Sequence, residues 1–423
     1  MIICMVLSLD DRIKENKNFT ILNYQGSKKN LIDFIHKHID NLIIPEKAFL
    51  DIFAGTCAVG YSYKSCCPVY ANDLEYYSYL IADSLLNNYN NYNFNKIKKE
   101  IGNQFKNLYN LKLKKYDKWI IAEETFLESN KIEDLIDLYS SYPTIWNNAE
   151  MILDKKQYIL FTSYYAGNYF GIKQAIEIDC LRNLIENIDS NLFSMLISCL
   201  FFAMKNCVFS KDGHMAQPLD LHKNASKLIF KRKNSILDNF YSKLTEYFSS
   251  EFINTNFSNS AYNMDFENLI KLKEIQDNVG LIYADPPYTD MQYSRYYHLL
   301  NIVSKYDYPK PTLIKNVYTK GLYTEGRSQS LLSQKRYCLE HFSNLINFSK
   351  KYNKNLAISF AYPDDPILQK TDRYVMSIEE IVRECTKVFK EKKVNVVSTK
   401  YNHSNNRNTQ TKKVLEYLIL CKY

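Results

Sequence analysis

At 423 residues, with 46% hydrophobic and 24% charged side chains, the chain is long enough for two domains and a large core. It has no run of eighteen apolar residues, and its start, MIICMVLSLDDRIKEN, lacks the basic opening of a secretory signal, so no membrane span and a cytoplasmic location are expected. The ten cysteines form no CxxC pair, which argues for reduced thiols and against a zinc site, and the net charge of +8 is modest for this length.

Glycine is scarce, ten in all, and three of them stand at 26, 55 and 60, each more apt to answer a backbone need. NYQGSKKNLIDFIHKHI, residues 23–39, reads as a loop followed by an amphipathic helix. AFLDIF, 48–53, is a short apolar strand, AGTCAVG, 54–60, a tight turn opening a helix, and PVYAND, 68–73, a second strand ending in an acid. LEYYSYLIADSLLNNY, 74–89, then has helical periodicity. This is a βαβ unit of nucleotide-binding type. Asp51 lies at the carboxyl end of its first strand, and Gly55 lets the backbone approach a ligand. Asp73 is placed to accept hydrogen bonds from ribose hydroxyls. The phosphate-loop pattern fails because Tyr61, not Lys, follows Gly60.

From 91 to 250 the pattern turns helical, which marks an inserted lobe between two parts of one α/β domain, 1–90 and 251–423. The insert gathers base between Lys205 and Lys233, where Lys231, Arg232 and Lys233 run together against Asp212 and Asp220. Further basic excesses lie at 305–336 and 387–422, and such stretches suit a polyanion. Strands are expected at VGLIYA, NLAISFAY (355–362), VNVVSTKY (394–401) and VLEYLILC (414–421), the last two as an antiparallel edge pair.

The most specific stretch is LIYADPPYTDMQYS, 281–294. An apolar strand delivers Asp285 to the sheet edge. Pro286 and Pro287 hold the following backbone extended and donate no N–H, so the Asp285 carboxylate and the Pro286 carbonyl stand as acceptors beside the flat ring of Tyr288. Two acceptors and a stacking face match a planar base bearing an amino group.

Taken together, NYQGSKKNL, FLDIFAGTCAVG, VYANDLEYYS and IYADPPYTDMQYS resemble the DNA adenine-N6 methyltransferases, in the α-type order with cofactor motifs first and DPPY last. The resemblance implies a Rossmann-like S-adenosylmethionine-dependent methyltransferase sheet with a mostly helical target-recognition lobe. It implies S-adenosylmethionine as cofactor, held by Tyr24, Lys28, Asp51, Phe53, Gly55, Asp73, Asp265 and Asp285, with no metal. Asp285, Pro286, Pro287 and Tyr288 would be the catalytic element. Double-stranded DNA would be the substrate, contacted by Lys231, Arg232 and Lys233, with Tyr401 as a second aromatic face for an extruded base. A restriction–modification setting with a cognate endonuclease is the partner reading. Cys57 departs from the glycine usual in relatives, and its Cβ would narrow the loop if that position needs positive φ. RNA amino-methylation, cytosine-N4 methylation and a silent DNA-binding relative of the fold remain alternatives. Neither the recognition sequence nor the oligomeric state is legible.

Overall fold

The computed structural model describes residues 19–22, 26–145, 157–211, 214–327, 329–366, 371–402 and 413–423. Nine strands are described: β1 (Ala48–Asp51), β2 (Val69–Asn72), β3 (Ser260–Tyr262), β4 (Val279–Ala284), β5 (Leu313–Ile314), β6 (Val317–Tyr318), β7 (Asn355–Pro363), β8 (Val394–Asn402) and β9 (Lys413–Cys421). Seven make one sheet in the order β3-β2-β1-β4-β7-β9-β8, and β5 pairs only with β6. From β3 to β7 every pairing is parallel, whereas β9 runs antiparallel to both β7 and β8. This is the Rossmann-like α/β sheet expected from the sequence, including its antiparallel edge pair.

β1, β4 and β7 are buried along their whole length, as continuous apolar runs covered on both faces must be. One face packs Leu50, Ile282, Ile358 and Phe360 against Phe342 and Ile346 of the helix Cys338–Lys351 and Ile381 of the helix Ile378–Phe389. The second of these helices starts where Ser377 and Glu380 exchange side-chain and backbone hydrogen bonds in a capping box.

After β1 the chain builds β2 and β3 on one side, then returns to place β4 on the other. The carboxyl ends of β1 and β4 therefore flank the point where strand order reverses, which in open α/β sheets is the ligand crevice.

The chain divides into two compact units. The first comprises the described residues up to Asn88, Glu251–Tyr293 and those after 328, and it carries the seven-stranded sheet. The second comprises Tyr89–Ser250 with Ser294–Arg327. Residues 294–327, assigned from sequence to the catalytic part, thus belong with the helical unit. That unit includes the long helix Phe94–Glu128, the helices Ile172–Asn187, Phe193–Cys207 and Ile236–Tyr247, and the β5–β6 hairpin. Ser190–Cys207 is long and apolar enough to cross a membrane by composition, but 67% of it is buried, and it packs as a core helix against Ile236–Tyr247 and Ile172–Asn187.

Candidate active site

Each of four adjacent parallel strands is capped or closely followed by an aspartate: Asp51 ends β1, Asp73 follows β2, Asp265 follows β3 and Asp285 follows β4. Parallel strands all present the same end, so this register collects the four acids along one edge of the sheet.

Asp51 is buried, and its Oδ2 accepts the Gly60 amide at 3.0 Å. Burial pushes its carboxyl up to about 7; the Gly60 N–H opposes this, while Asp285 and Asp73 add to it. Asp73, half-buried, accepts the Gly55 amide at 2.8 Å and the Glu75 amide at 2.9 Å, and burial raises it to about 6 against those bonds. It thereby ties the end of β2 to the turn after β1. In that turn Gly55 has φ +54°, and Cys57 has φ +55°, so the departure at Cys57 does put a Cβ in the left-handed region. Its sulfur, fully buried, lies toward Gly60 and Asp51 rather than leaving the turn, since a Cβ at Gly60 would come within 2.9 Å of Cys57 Sγ. Phe53 meets Phe266 edge-on at 5.4 Å, and Asp265 begins the short helix Phe266–Leu269 by accepting the Glu267 amide at 2.9 Å.

At the end of β4, Pro286 is buried and Asp285, Pro287 and Tyr288 are half-buried. Lys28, expected to line the cofactor pocket, reaches the DPPY corner. Its Nζ lies 3.0 Å from Asp285 Oδ1, 2.9 Å from Glu416 Oε1 and 5.9 Å from the centre of the Tyr288 ring. The ammonium thus bridges the two carboxylates, donating a hydrogen bond to Glu416 and pairing with Asp285. Burial pushes the Asp285 carboxyl up to about 7, with Lys28 opposing and Glu416 adding. Tyr288 is framed by Tyr374, stacked at 6.2 Å, and Phe360, edge-on at 6.1 Å. The backbone beyond it is strapped to the Tyr374 segment by Val375 N–H to Tyr288 O at 3.2 Å and Asp290 N–H to Arg373 O at 3.0 Å.

Two site residues escaped the sequence reading. Glu416 occupies an inward position of β9 between Val414 and Leu418, and an acid in an apolar alternating row was the available signal. Tyr374 had no local signal. Tyr24 lies outside the described residues. Of Tyr401 only the backbone is described, paired with Val414.

In the second unit the three adjacent bases part company. Lys233 is exposed and Lys231 half-buried, its Nζ on the Asn206 carbonyl at 2.6 Å. Arg232 departs from its expected place on DNA. It is buried, and its guanidinium donates to the carbonyls of Asn168 and Tyr169 and to the Tyr139 hydroxyl. Those bonds fix a core corner where Glu123 accepts the Tyr139 hydroxyl and the first amides of the helix Ile172–Asn187.

The mostly parallel α/β sheet, the glycine turn closed by an acid, and the DPPY corner on the neighbouring strand make up an α/β domain of methyltransferase type. The sequence pattern described as D12 class N6 adenine-specific DNA methyltransferase matches residues 24–346, and the chain belongs to that family. It is 28% identical over 348 residues to the type II methyltransferase M.FokI of Planomicrobium okeanokoites, covering 80% of this chain and 44% of that protein. It is 24% identical to the modification methylase LlaI of Lactococcus lactis subsp. lactis, covering 68% and 39%, and 25% identical to the type II methyltransferase M.NlaIII of Neisseria lactamica, covering 68% and 70%. The chain thus spans less than half the length of the FokI and LlaI enzymes.

Proposed function

We propose that this protein transfers a methyl group from S-adenosylmethionine to the N6 amine of adenine in duplex DNA, within a restriction–modification system. The observation that carries the reading is the Asp285 carboxylate. It is a half-buried acid paired with the Lys28 ammonium at 3.0 Å, at the strand-order reversal and beside an aromatic ring, with the Gly55 turn on the adjacent strand.

The acids suit the cofactor. Asp51, Asp73, Asp265 and Asp285 outnumber the Lys28 ammonium at Asp285, and S-adenosylmethionine carries both a sulfonium and an ammonium. Asp73 would hold the ribose, Asp51 would face the methionine end, and Phe53 with Asp265 would border the adenine ring. When bound, the cofactor supplies a methyl already activated on sulfur. The remaining task is nucleophile alignment. The adenine amine is weakly nucleophilic because its lone pair is delocalised into the ring. Accepting its N–H bonds at Asp285 and at the Pro286 carbonyl favours a tetrahedral nitrogen and aims it, so positioning and charge placement lower the barrier. Extruding the base costs a few kcal/mol, and stacking on Tyr288 offsets about 1–3 kcal/mol of this.

The test is transfer of labelled methyl from S-adenosylmethionine to duplex DNA, followed by nucleoside analysis. N6-methyladenine is expected. Label in ribosomal RNA alone, label in N4-methylcytosine, or cofactor binding without transfer would each replace this reading by one of its alternatives. Asp285→Ala should keep DNA binding and lose transfer.

A further inference from the structure

In the helical unit two arginines share one tyrosine. The guanidinium carbon of Arg295, in the short helix Tyr293–Tyr296, lies 5.5 Å from the centre of the Tyr323 ring, and that of Arg327 lies 4.7 Å from it. The ring is a fixed platform. Tyr323 is buried, its amide donates to Thr319 Oγ1 at 3.2 Å, and its carbonyl accepts the Thr312 amide at 2.6 Å. The ring of His298 meets it edge-on at 5.1 Å and is itself buried, with Nε2 3.3 Å from the Tyr169 hydroxyl. Burial, and then the charge of Arg327, push His298 down to about 3 against a hydrogen bond with the Met215 backbone, so the platform stays neutral. Gly326, at φ +69°, turns the chain between Tyr323 and Arg327, and Arg327 Nη1 donates back to the Thr324 carbonyl at 2.9 Å. That turn lays the half-buried guanidinium against the ring.

Nothing in the unit balances these two charges. Among the described residues no carboxylate forms an ion pair with either arginine, and Glu325, in the same turn, faces Lys310 at 3.7 Å instead. Burial lowers Arg327 from its ordinary value, the Tyr323 hydroxyl opposes this, and Arg295 adds to it. Arg327 Nε is buried with no hydrogen-bond partner, and Arg295 stands exposed. Two like charges held over one ring at a partly desolvated spot are unfavourable until an anion joins them. Guanidinium forks match phosphate oxygens in shape as well as charge. A base edge would offer acceptors without charge and would leave the repulsion in place.

We propose that Arg295 and Arg327 form a binding site for a backbone phosphate of DNA, with Tyr323 as the ring on which both guanidiniums rest. The proposal rests on DNA being the substrate, as read above. The site lies wholly within one compact unit, and it is separate in sequence from the basic run at Lys231–Lys233. It gives His298 a part as well, as the neutral support beneath Tyr323.

Binding of a pool of random-sequence fluorescent duplexes, followed by anisotropy over a range of salt concentrations, tests this. Arg295→Ala/Arg327→Ala should weaken binding about tenfold at low salt and reduce the slope of log K against log salt by about 0.9, the share of one phosphate. Arg295→Lys/Arg327→Lys keeps both charges and should keep the slope. Arg295 is exposed, so Arg295→Ala alone should retain the wild-type thermal midpoint and still bind every duplex about threefold more weakly, which separates a phosphate contact from damage to the fold. Wild-type affinity for Arg295→Ala together with an unchanged slope for the double alanine variant overturns the proposal. An unchanged slope with altered preference among duplex sequences also overturns it, since the arginines would then read a base edge. A wild-type protein that binds duplex DNA and shows the expected slopes but transfers no methyl group counts against the functional reading alone, whereas no duplex binding at all overturns both.

Discussion

The Gly60 amide donates to Asp51 Oδ2 at 3.0 Å, and the space a side chain would fill at Gly60 is taken by Cys57 Sγ. The helix after the turn can approach β1 because residue 60 has no Cβ, and the sulfur has become part of that contact.

Gly60→Ala would set a Cβ 2.9 Å from Cys57 Sγ and 3.2 Å from Asp51 Oδ2. The obstacles are a fully buried sulfur and a bonded carboxylate, neither able to swing away, so a loss of about 1–3 kcal/mol is expected. Cys57→Gly removes the sulfur and a left-handed non-glycine residue at once, so the Cys57→Gly/Gly60→Ala pair should recover about 1 kcal/mol or more over Gly60→Ala alone. Urea unfolding of the four proteins checks it, and strict additivity would mean that the sulfur is not the obstacle.

The pH dependence of stability has a sign fixed by Asp51. Burial raises its carboxyl to about 7 in the folded chain, above the ordinary value near 4. Folding therefore takes up a proton between those values. The contribution is complete below about pH 4 and is lost as pH rises through about 7. Asp51→Asn keeps an oxygen for Gly60 and removes the titration, so the cofactor-free variant should lose less stability than wild type between about pH 4.5 and 7.5. Urea midpoints across that range decide it, and parallel curves would reject a raised Asp51.

Asp73 serves two amides with two oxygens, Gly55 with Oδ2 and Glu75 with Oδ1. Asp73→Asn offers one acceptor and turns an NH2 toward the other amide, while removing the charge. Hydrogen bonds to a charged group are worth about 1.5–3 kcal/mol, so S-adenosylmethionine should bind about 10- to 100-fold more weakly. Calorimetry reads this directly. An unchanged Kd would mean that neither the turn nor the ribose depends on Asp73.

The parts of the site legible in the sequence were those whose signal is local. An apolar run ending in an acid marked β1 and β4, a proline pair marked the stiff corner, and alternating strands marked β8 and β9. The unseen parts depend on segments far apart in the chain. Lys28 and Glu416 are 388 positions apart, and no periodicity connects them. Residues 294–327 return to the helical unit, and their basic excess says nothing about which unit they pack with. β3 is only three residues long, too short to show alternation. Arg232 was hidden by its charged neighbours, yet it stands four residues after the fully buried Leu228, on the same face of the helix Ala225–Arg232.

That face distinguishes Arg232 from Lys233 by experiment. Arg232→Ala would strand the carbonyls of Asn168 and Tyr169 and remove the cation beside the buried Glu123–Tyr139 corner, so it should cost about 2–4 kcal/mol of stability. The exposed Lys233 lies only 3.5 Å from Asn130 Oδ1, a marginal contact, so Lys233→Ala should leave the thermal midpoint unchanged. If Lys233 meets a phosphate, its loss should weaken DNA binding on every sequence and reduce the slope of log K against log salt by about 0.9. The two readouts are independent. A lowered salt slope for Arg232→Ala in a protein of wild-type stability would return Arg232 to the DNA surface and contradict its place in the core.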